Sequence, residues 1–279
     1  MSMHDLSGKW VLVTGAASGI GRATALAFAD AGASLFVADM NAERLETVRQ
    51  EVMARGAECV VHALDVTDPG AMAELAQRVH SRTPALDVLV NNAGIGYLGA
   101  FIDSPLDAWH RVFSVNVMGV VHGCQAFLPA MEAAGGPRRV VNVASLAGLA
   151  PAPNMSAYVA SKHAVVGLSE GLSLELKLRA SSVGVTTVCP GIINTDITKA
   201  RHNVAVTIDD AQYERLTAYY EAQGVGPRVV AIAIVSAVRQ GRELVLAGPF
   251  AKPIYHLRRL SRRLAQWLML ADARKAGYV

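Results

Sequence analysis

Short runs of apolar, β-branched residues alternate with longer helical stretches along most of this chain. Runs such as Val11–Val13 and Val88–Val90 are continuously apolar and lack the polar positions of a half-exposed strand. Continuous runs are typical of a parallel sheet that helices cover on both faces. The pattern therefore predicts an α/β fold, a single Rossmann-type domain built on a doubly wound parallel sheet of seven strands.

The predicted strands and helices alternate as far as the sixth strand. Strands are predicted at Lys9–Thr14, Ser34–Asp39, Glu58–Leu64, Leu86–Asn91, Arg138–Ala144, Val183–Cys189 and Glu243–Ala247, with helices near residues 20–32, 42–55, 70–82, 105–133, 156–180 and 226–240. Residues 194–225 interrupt this order with a polar loop and a helical stretch around Ile208–Gln223, and long excursions are often binding loops. We therefore expect a dinucleotide-binding and catalytic domain at residues 1–250, with a substrate-binding excursion at 194–225.

Size and composition restrict the class of protein further. The chain has 279 residues, 52% of them hydrophobic, which is enough for a core without disulfide or metal staples. Its three cysteines (Cys59, Cys124 and Cys189) are far apart in apolar surroundings, as expected for buried thiols in a reducing compartment. The first residues carry no secretory signal pattern, and the longest apolar stretches, of about ten residues, are too short to cross a bilayer. We predict a cytoplasmic protein.

The net charge of +3 is concentrated at the end of the chain, because residues 252–279 hold seven basic residues and one acidic residue. The rest is slightly acidic, which argues against nucleic-acid binding. Residues 251–279 are predicted to form a basic amphipathic helical extension. On one helix, a single side would carry Leu257, Leu260, Leu264, Trp267, Leu268 and Ala271, with Arg258, Arg259, Arg262 and Arg263 opposite. Two interpretations remain open: the apolar stripe packs on the body or a partner subunit, or residues 253–272 lie on an anionic membrane or lipid surface.

A glycine-rich turn directly follows the first predicted strand. Thr14–Gly21 contains Gly15, Ser18, Gly19, Ile20 and Gly21 and runs into a helical pattern. Glycine permits both a tight turn and a close approach of the backbone to a pyrophosphate, and the following helix directs its N–H groups at the phosphates. The alternative is a strand–helix turn whose glycines serve packing alone. The position after the first strand favours the nucleotide site.

Acidic residues close the second and third predicted strands. Asp39 lies 18 residues after Gly21, where a carboxylate accepts hydrogen bonds from the adenosine ribose and repels a 2′-phosphate. This favours NAD over NADP. The alternative is that Asp39 only caps the next helix. Asp65 and Val66 could border the adenine, or Asp65 could simply turn the chain before its next helix.

Six motifs occur together in one order. They are Thr14–Gly21, Asn91–Gly94, Asn116, Ser145, Tyr158–Lys162 and Pro190–Thr195. In order and spacing the chain resembles the short-chain dehydrogenase/reductase (SDR) family over roughly residues 8–195. The resemblance implies an NAD(P)-dependent oxidoreductase that interconverts a secondary alcohol and a ketone by hydride transfer. It implies cofactor contacts at Asn92, Ala93 and Gly94 on the adenosine side and at Pro190, Gly191, Ile193 and Thr195 around the nicotinamide, with Asn91 fixing the central sheet.

Tyr158 and Lys162 are four residues apart and would share one face of a helix. A free phenol is a poor base at neutral pH, but a nearby ammonium and a positive nicotinamide favour the phenolate. Lowering its pKa from about 10 to about 7 requires about 4 kcal/mol of differential interaction. Tyr158 would then act as general acid/base, and Lys162 would also bind the nicotinamide ribose. In isolation such a pair is an ordinary amphipathic helix pair.

Ser145 and Asn116 complete the catalytic set that the resemblance implies. Ser145 ends the fifth predicted strand, where its hydroxyl could hold the substrate oxygen. A serine nucleophile is disfavoured because the Gly-x-Ser-x-Gly elbow is missing. Asn116 lies inside a predicted helix, and in the family the equivalent Asn holds a water that connects to the catalytic Lys. The alternative is a plain surface Asn.

The remaining expectations concern metals, substrate and assembly. The eight histidines are scattered and the cysteines are not clustered, so no metal site is predicted. The segments Gly96–Phe101, Leu146–Met155 and 194–225 offer little fixed charge, which favours a bulky apolar, lipid- or steroid-like substrate.

We expect a homodimer built on the helices near 105–133 and 156–180, with a tetramer as the alternative. The competing function is a catalytically silent dinucleotide-binding sensor or scaffold.

Overall fold

The computed structural model describes residues 2–198 and 200–277. Within them, seven strands form one sheet in the order β3-β2-β1-β4-β5-β6-β7, and every neighbouring pair is parallel. The strands are β1 (Trp10–Thr14), β2 (Ser34–Asp39), β3 (Cys59–Ala63), β4 (Val88–Asn91), β5 (Arg138–Val143), β6 (Val183–Pro190) and β7 (Leu244–Ala247). The prediction of a doubly wound, seven-stranded parallel sheet is confirmed, and its strand boundaries are close to those predicted.

Helices cover both faces of this sheet. The α-helices of the described residues, not all of which lie on the sheet, are α1 (Gly19–Asp30), α2 (Ala42–Met53), α3 (Pro69–His80), α4 (Leu106–Phe113), α5 (Gly119–Ala133), α6 (Ser156–Leu178), α7 (Asp210–Gln223), α8 (Arg228–Gln240), α9 (Ala251–Leu260) and α10 (Arg262–Ala276). Strand side chains point alternately to the two faces. Val11 and Val13 of β1 pack with Phe28 of α1 on one face, and Leu12 packs with Phe127 of α5 on the other. This two-sided burial is why the strands are continuously apolar.

The strand order reverses between β1 and β4, which opens a crevice at the carboxyl ends of the strands. Buried polar side chains fix the neighbouring strands there. Asn91 of β4 donates to the side-chain oxygen of Asn142 of β5 at 2.9 Å, and Asn142 donates to Ser169 of α6 at 3.0 Å. Sheet and α6 are therefore tied together next to the crevice.

The single helix predicted near 105–133 is interrupted. A π-helical turn, Ser114–Met118, lies between α4 and α5, while Pro129 lies inside α5 without ending it. The wide turn is centred on Asn116, whose side chain bonds a neighbouring loop, and π turns are frequent at functional sites.

The stretch Leu106–Ala133 is, among the described residues, long and apolar enough to cross a membrane by length and composition. A core helix of a soluble protein passes the same test. Val120, Phe127 and Met131 of this stretch are buried against the sheet. The finding alone therefore does not indicate a membrane span.

The C-terminal extension predicted at residues 251–279 is helical over Ala251–Leu260 and Arg262–Ala276. It forms two helices and not the one on which its apolar stripe was placed, because Ser261 separates α9 from α10. Ser261 has an extended backbone (φ −150°, ψ 108°), and its hydroxyl accepts the Leu264 N–H and so caps α10. The face of α10 that packs on the body consists of small residues, Ala273 and Ala276, which contact Leu216 of α7. Tyr278 and Val279, the end of the predicted extension, lie outside the described residues.

Four large side chains of the predicted apolar stripe are exposed in this chain. Exposed fractions are 86% for Leu260, 46% for Leu264, 64% for Trp267 and 44% for Leu268, whereas Leu257 is half-buried. The contact of α10 with the body is made by its alanines instead. Packing of the stripe on a partner subunit, or on a lipid surface, stays a prediction.

Candidate active site

The turn between β1 and α1 is closely packed against the end of β4. Gly15 and Gly19 have left-handed backbones (φ +63° and +51°), which favour glycine. A Cβ at Gly15 would lie 2.7 Å from Cα of Ala93, and one at Gly21 would overlap the carbonyl oxygen of Gly15. The side-chain amide of Asn92 donates to the carbonyl oxygen of Gly15 at 3.1 Å. The glycines therefore serve both the turn and its close approach to β4.

This turn fits the pyrophosphate of a dinucleotide. Helix α1 begins at Gly19, and Ser18 at its N-cap makes no side-chain capping bond. The N–H groups of the first turn, at Ile20 and Gly21, thus lack the side-chain cap that would compete with a phosphate. Because no side chain projects from Gly15, Gly19 or Gly21, the backbone leaves room for the ligand.

Asp39 lies beside the glycine turn. Its carboxylate accepts the Ala17 N–H at 3.1 Å and the Asn41 N–H at 3.0 Å. The alternative that Asp39 caps α2 is wrong, because Asn41 is the N-cap and accepts the Arg44 N–H with its own side chain. The carboxylate therefore lies at the end of β2, next to the turn.

Asp65 and Val66 follow β3 at the same edge of the sheet. Asp65 accepts the Thr67 N–H at 2.8 Å and so turns the chain, as the alternative interpretation expected. Val66 packs against Gly119 of α5, where a Cβ would lie 2.8 Å from its Cγ2. A contact of these two residues with adenine stays a prediction.

Tyr158, Lys162 and Ser145 meet at the carboxyl end of β5. Tyr158 and Lys162 lie on consecutive turns of α6, with the amine 5.7 Å from the centre of the phenol ring. The Lys162 amine donates to the carbonyl oxygen of Val143, the last residue of β5, at 2.9 Å. Ser145 follows two residues later, and its side chain is near enough to the Tyr158 phenol to lower its pKa. The chain thus brings together three of the four predicted catalytic residues.

Asn116, the fourth, is fully buried, so the alternative of a surface Asn is wrong. Its side chain accepts the Ile95 N–H at 2.8 Å and donates to the Ile95 carbonyl oxygen at 3.0 Å. A Cβ at Gly94 would lie 3.2 Å from the Asn116 side-chain oxygen and 3.3 Å from the Lys162 amine. Asn116 and Lys162 therefore both border Gly94.

Ser161 was not predicted, although it links two predicted residues. It accepts from the Asn116 amide at 3.0 Å and donates to the Tyr158 carbonyl oxygen at 2.7 Å. Its position in Tyr158–Lys162 was visible in the sequence, but a serine on a helix usually bonds only its own backbone.

Burial penalises the charged forms of both central groups. Burial raises the pKa of Tyr158 to about 12, although the neighbouring Ser145 side chain has the opposite effect and lowers it. It lowers the pKa of Lys162 to about 8. The expectation that Lys162 makes Tyr158 acidic is therefore not met by the chain alone, because desolvation of the phenolate outweighs the neighbouring groups.

The segment after β6 crosses the glycine turn. Gly191 donates its N–H to the Ala247 carbonyl oxygen at 2.8 Å, which joins it to β7 beyond Pro190. Ile193 is buried and pairs with Val225. A Cβ at Gly19 would lie 3.2 Å from Cγ2 of Thr195, so Thr195 faces the dinucleotide turn. The predicted substrate excursion therefore begins above the proposed cofactor site.

Residues 2–198 and 200–277 contain no group of three or more His, Cys, Asp or Glu side chains that could hold a metal ion.

The short chain dehydrogenase family model matches residues 9–205. This chain belongs to the short-chain dehydrogenase family. It is 39% identical over 254 residues to the probable oxidoreductase EphD of Mycobacterium tuberculosis, covering 90% of this chain and 43% of EphD. The chain therefore spans less than half the length of this relative.

Two solved structures are similar. An SDR from Burkholderia phymatum in complex with NAD has a TM-score of 0.85 and 32% identity, covering 94% of this chain and 96% of that one. A metagenomic short-chain oxidoreductase in complex with NADP has a TM-score of 0.68 and 30% identity, covering 84% and 91%. The SDR family and its fold are thereby shown for this chain. Of the two similar structures, one holds NAD and the other holds NADP.

The lowered pKa of Lys162 predicts a pH-dependent stability. The amine has a pKa of about 8 in the folded chain and its ordinary value of 10.5 in the unfolded chain, so the unfolded chain binds more protons between these values. Stability gained from deprotonation is thus absent below about pH 8 and appears as pH rises towards 10.5. Relative to Lys162→Met, the wild type should gain about 2–3 kcal/mol in free energy of unfolding from pH 7 to 10. Urea unfolding of both proteins measures this, and a difference that does not change with pH would contradict it.

Proposed function

We propose that the protein is an NAD-dependent oxidoreductase that interconverts a secondary alcohol and a ketone. The meeting of Tyr158, Ser145 and Lys162 at the end of β5, beside a turn suited to a dinucleotide, carries this proposal. When bound, the nicotinamide cofactor supplies the site for hydride transfer and, in its oxidised form, a positive charge. The sensor or scaffold alternative lacks a comparable observation, because all four residues of the catalytic set are present.

Each catalytic side chain has a defined task in this reaction. Ser145 donates a hydrogen bond to the substrate oxygen, and Tyr158 takes the proton of an alcohol or returns one to the alkoxide. Lys162 has a pKa of about 8, so it exchanges a proton near neutral pH and can pass it to or from Tyr158. Asn116 lies across Gly94 from that amine. Its role would be to hold the water through which Lys162 exchanges its proton.

Tyr158→Phe tests the general acid/base directly. Removing the hydroxyl should lower kcat by about 10²–10⁴-fold, because proton transfer loses its partner, while NAD⁺ still binds. The measurement is NADH absorbance over a panel of steroid, retinoid and aliphatic secondary alcohols. Tyr255→Phe, on α9, is the matched control and should keep wild-type activity. Equal activity of the wild type and Tyr158→Phe would overturn the assignment.

We propose a bulky, apolar substrate. The segments beside the catalytic residues present Tyr97, Leu98, Leu149 and Met155, and these side chains carry no formal charge. Such a wall favours a lipid- or steroid-like body over a sugar acid, because buried charges on the substrate would lose hydration without a partner.

The preference for NAD rests on Asp39. A carboxylate at the end of β2, next to the glycine turn, repels a 2′-phosphate and accepts ribose hydroxyls. NAD⁺ should raise Tm more than NADP⁺, and Asp39→Ser should reduce that difference. Asp30→Ser, at the far end of α1, is the control that should leave it unchanged. Equal shifts by both cofactors in the wild type would refute NAD selectivity.

We propose that two copies associate through α5 and α6. Leu174 and Leu178 of α6 are 66% and 89% exposed, an unusual exposure for leucines of a long helix. Light scattering should give the mass of a dimer, and Leu174→Glu with Leu178→Glu should give a monomer. A monomeric wild type would contradict this, and a tetramer would require a second interface.

We also propose that the protein is cytoplasmic and contacts anionic membranes through residues 253–272. The exposed Leu260, Leu264, Trp267 and Leu268 lie on the same two helices as an arginine cluster, a combination suited to the interface of an acidic bilayer. The protein should float with phosphatidylserine-containing vesicles but not with pure phosphatidylcholine. Trp267→Glu should weaken this binding, and Leu106→Glu, an exposed leucine on α4, should not. Equal binding of all three proteins would contradict the assignment.

A further inference from the structure

Two adjacent tyrosines of α7 connect the C-terminal helix to the active-site segment. The Tyr219 hydroxyl lies 2.8 Å from both carboxylate oxygens of Asp272 on α10 and donates to that carboxylate. The Tyr220 hydroxyl points to the sulfur of Met155 at 3.8 Å. The two rings meet edge to face, with centres 6.0 Å apart. The tyrosines thus form a short bridge from Asp272 to Met155.

Helix α10 is held on α7 by further contacts. Ala273 and Ala276 are buried against Leu216, and small residues at such a contact let two helices approach closely. The side-chain amide of Gln212 donates to the carbonyl oxygen of Gly277 at 3.0 Å. Both ends of α7 are therefore attached to the C-terminal extension, and α10 is part of the structure that holds the substrate excursion in place.

Tyr220 faces the catalytic centre. Met155, which its hydroxyl contacts, immediately precedes α6 and lies three residues before Tyr158. Leu98, from a segment expected to line the substrate site, packs in the same cluster as Met155 and Tyr220. Tyr220 also contributes to the raised pKa of Tyr158, after the larger effect of burial, so the two phenols are near enough to interact.

The proposed reaction does not use this second phenol. We propose that Tyr220 is a substrate-positioning residue that contacts the apolar body of the substrate beside Tyr158, and that Asp272 of α10 holds it there through Tyr219. This inference rests on the function proposed above and extends it, because it makes the chain's own C-terminal extension a determinant of substrate selectivity. An aromatic ring and a thioether together suit a rigid, hydrophobic ligand.

The bridge has a defined protonation state near neutral pH. Burial, and then the bond with Asp272, raise the pKa of the Tyr219 phenol above its usual value. Tyr219 therefore remains a donor, and Asp272 is its acceptor. Tyr219→Phe removes this charge-assisted bond, and Asp272→Asn weakens it to a neutral bond with an amide oxygen. Both substitutions change the side-chain volume little.

The experiment compares kcat/KM for one bulky and one small secondary alcohol, each chosen because the wild type oxidises it with NAD⁺. Tyr220→Ala should change the bulky-to-small ratio by at least about 10-fold, mainly through KM, because a wall of the site is removed. Tyr220→Phe keeps the ring and should change it less. Tyr219→Phe and Asp272→Asn should shift the ratio in the same direction as Tyr220→Ala, with the smaller shift in Asp272→Asn. Their double variant should equal Tyr219→Phe.

Controls separate this role from general damage. Glu74→Gln, which loses a surface ion pair with Arg78 on α3, should leave the ratio unchanged. Tm and the Kd for NAD⁺ should stay near wild-type values in Tyr220→Phe, Tyr219→Phe and Asp272→Asn. An unchanged ratio in Tyr220→Ala and Tyr220→Phe, with the wild type active, overturns this inference alone. No turnover by the wild type over the whole panel overturns both the proposed function and this inference.

Discussion

The hydrogen bond from the Lys162 amine to the carbonyl oxygen of Val143 joins α6, which carries the proposed catalytic Tyr158, to the sheet. It places a buried amine at the carboxyl end of β5, where doubly wound sheets bind their ligands. It also sets the position of α6, and therefore of Tyr158 one turn earlier. Burial works against this arrangement, because it disfavours the charged forms of both side chains. Hydrogen bonding thus holds the candidate site together although burial makes the charged forms of its two central side chains unfavourable, as is common at functional sites.

The fold could be predicted because its signals are local and repeated. Val11–Val13 is continuously apolar since alternate residues reach opposite helical layers, and that pattern recurs in the other strands. The glycine turn could be placed for a similar reason. Gly15 and Gly21 have no room for a Cβ, so the residue type itself reports the close packing of the turn.

Other features depend on contacts that a single sequence does not reveal. Two helices stand where one was expected, because a single residue, Ser261, follows the end of α9 and caps α10. The pKa of Tyr158 followed its burial more than its neighbours, and burial is a property of the whole fold. The bond from Tyr219 to Asp272 joins residues 53 positions apart, and neither belongs to a recognisable motif. The candidate site was therefore predictable where its residues lie in motifs and unpredictable where the C-terminal helix contributes.

We infer that Tyr158 and Lys162 act together on a substrate oxygen beside a dinucleotide. A crystal structure of the protein with NAD⁺ and an unreactive alcohol analogue would show whether they do. We expect the Tyr158 and Ser145 hydroxyls within about 3.2 Å of the analogue's oxygen, with the Lys162 amine on the ribose beside them. A complex in which the nicotinamide and the analogue lie away from Tyr158 would contradict it.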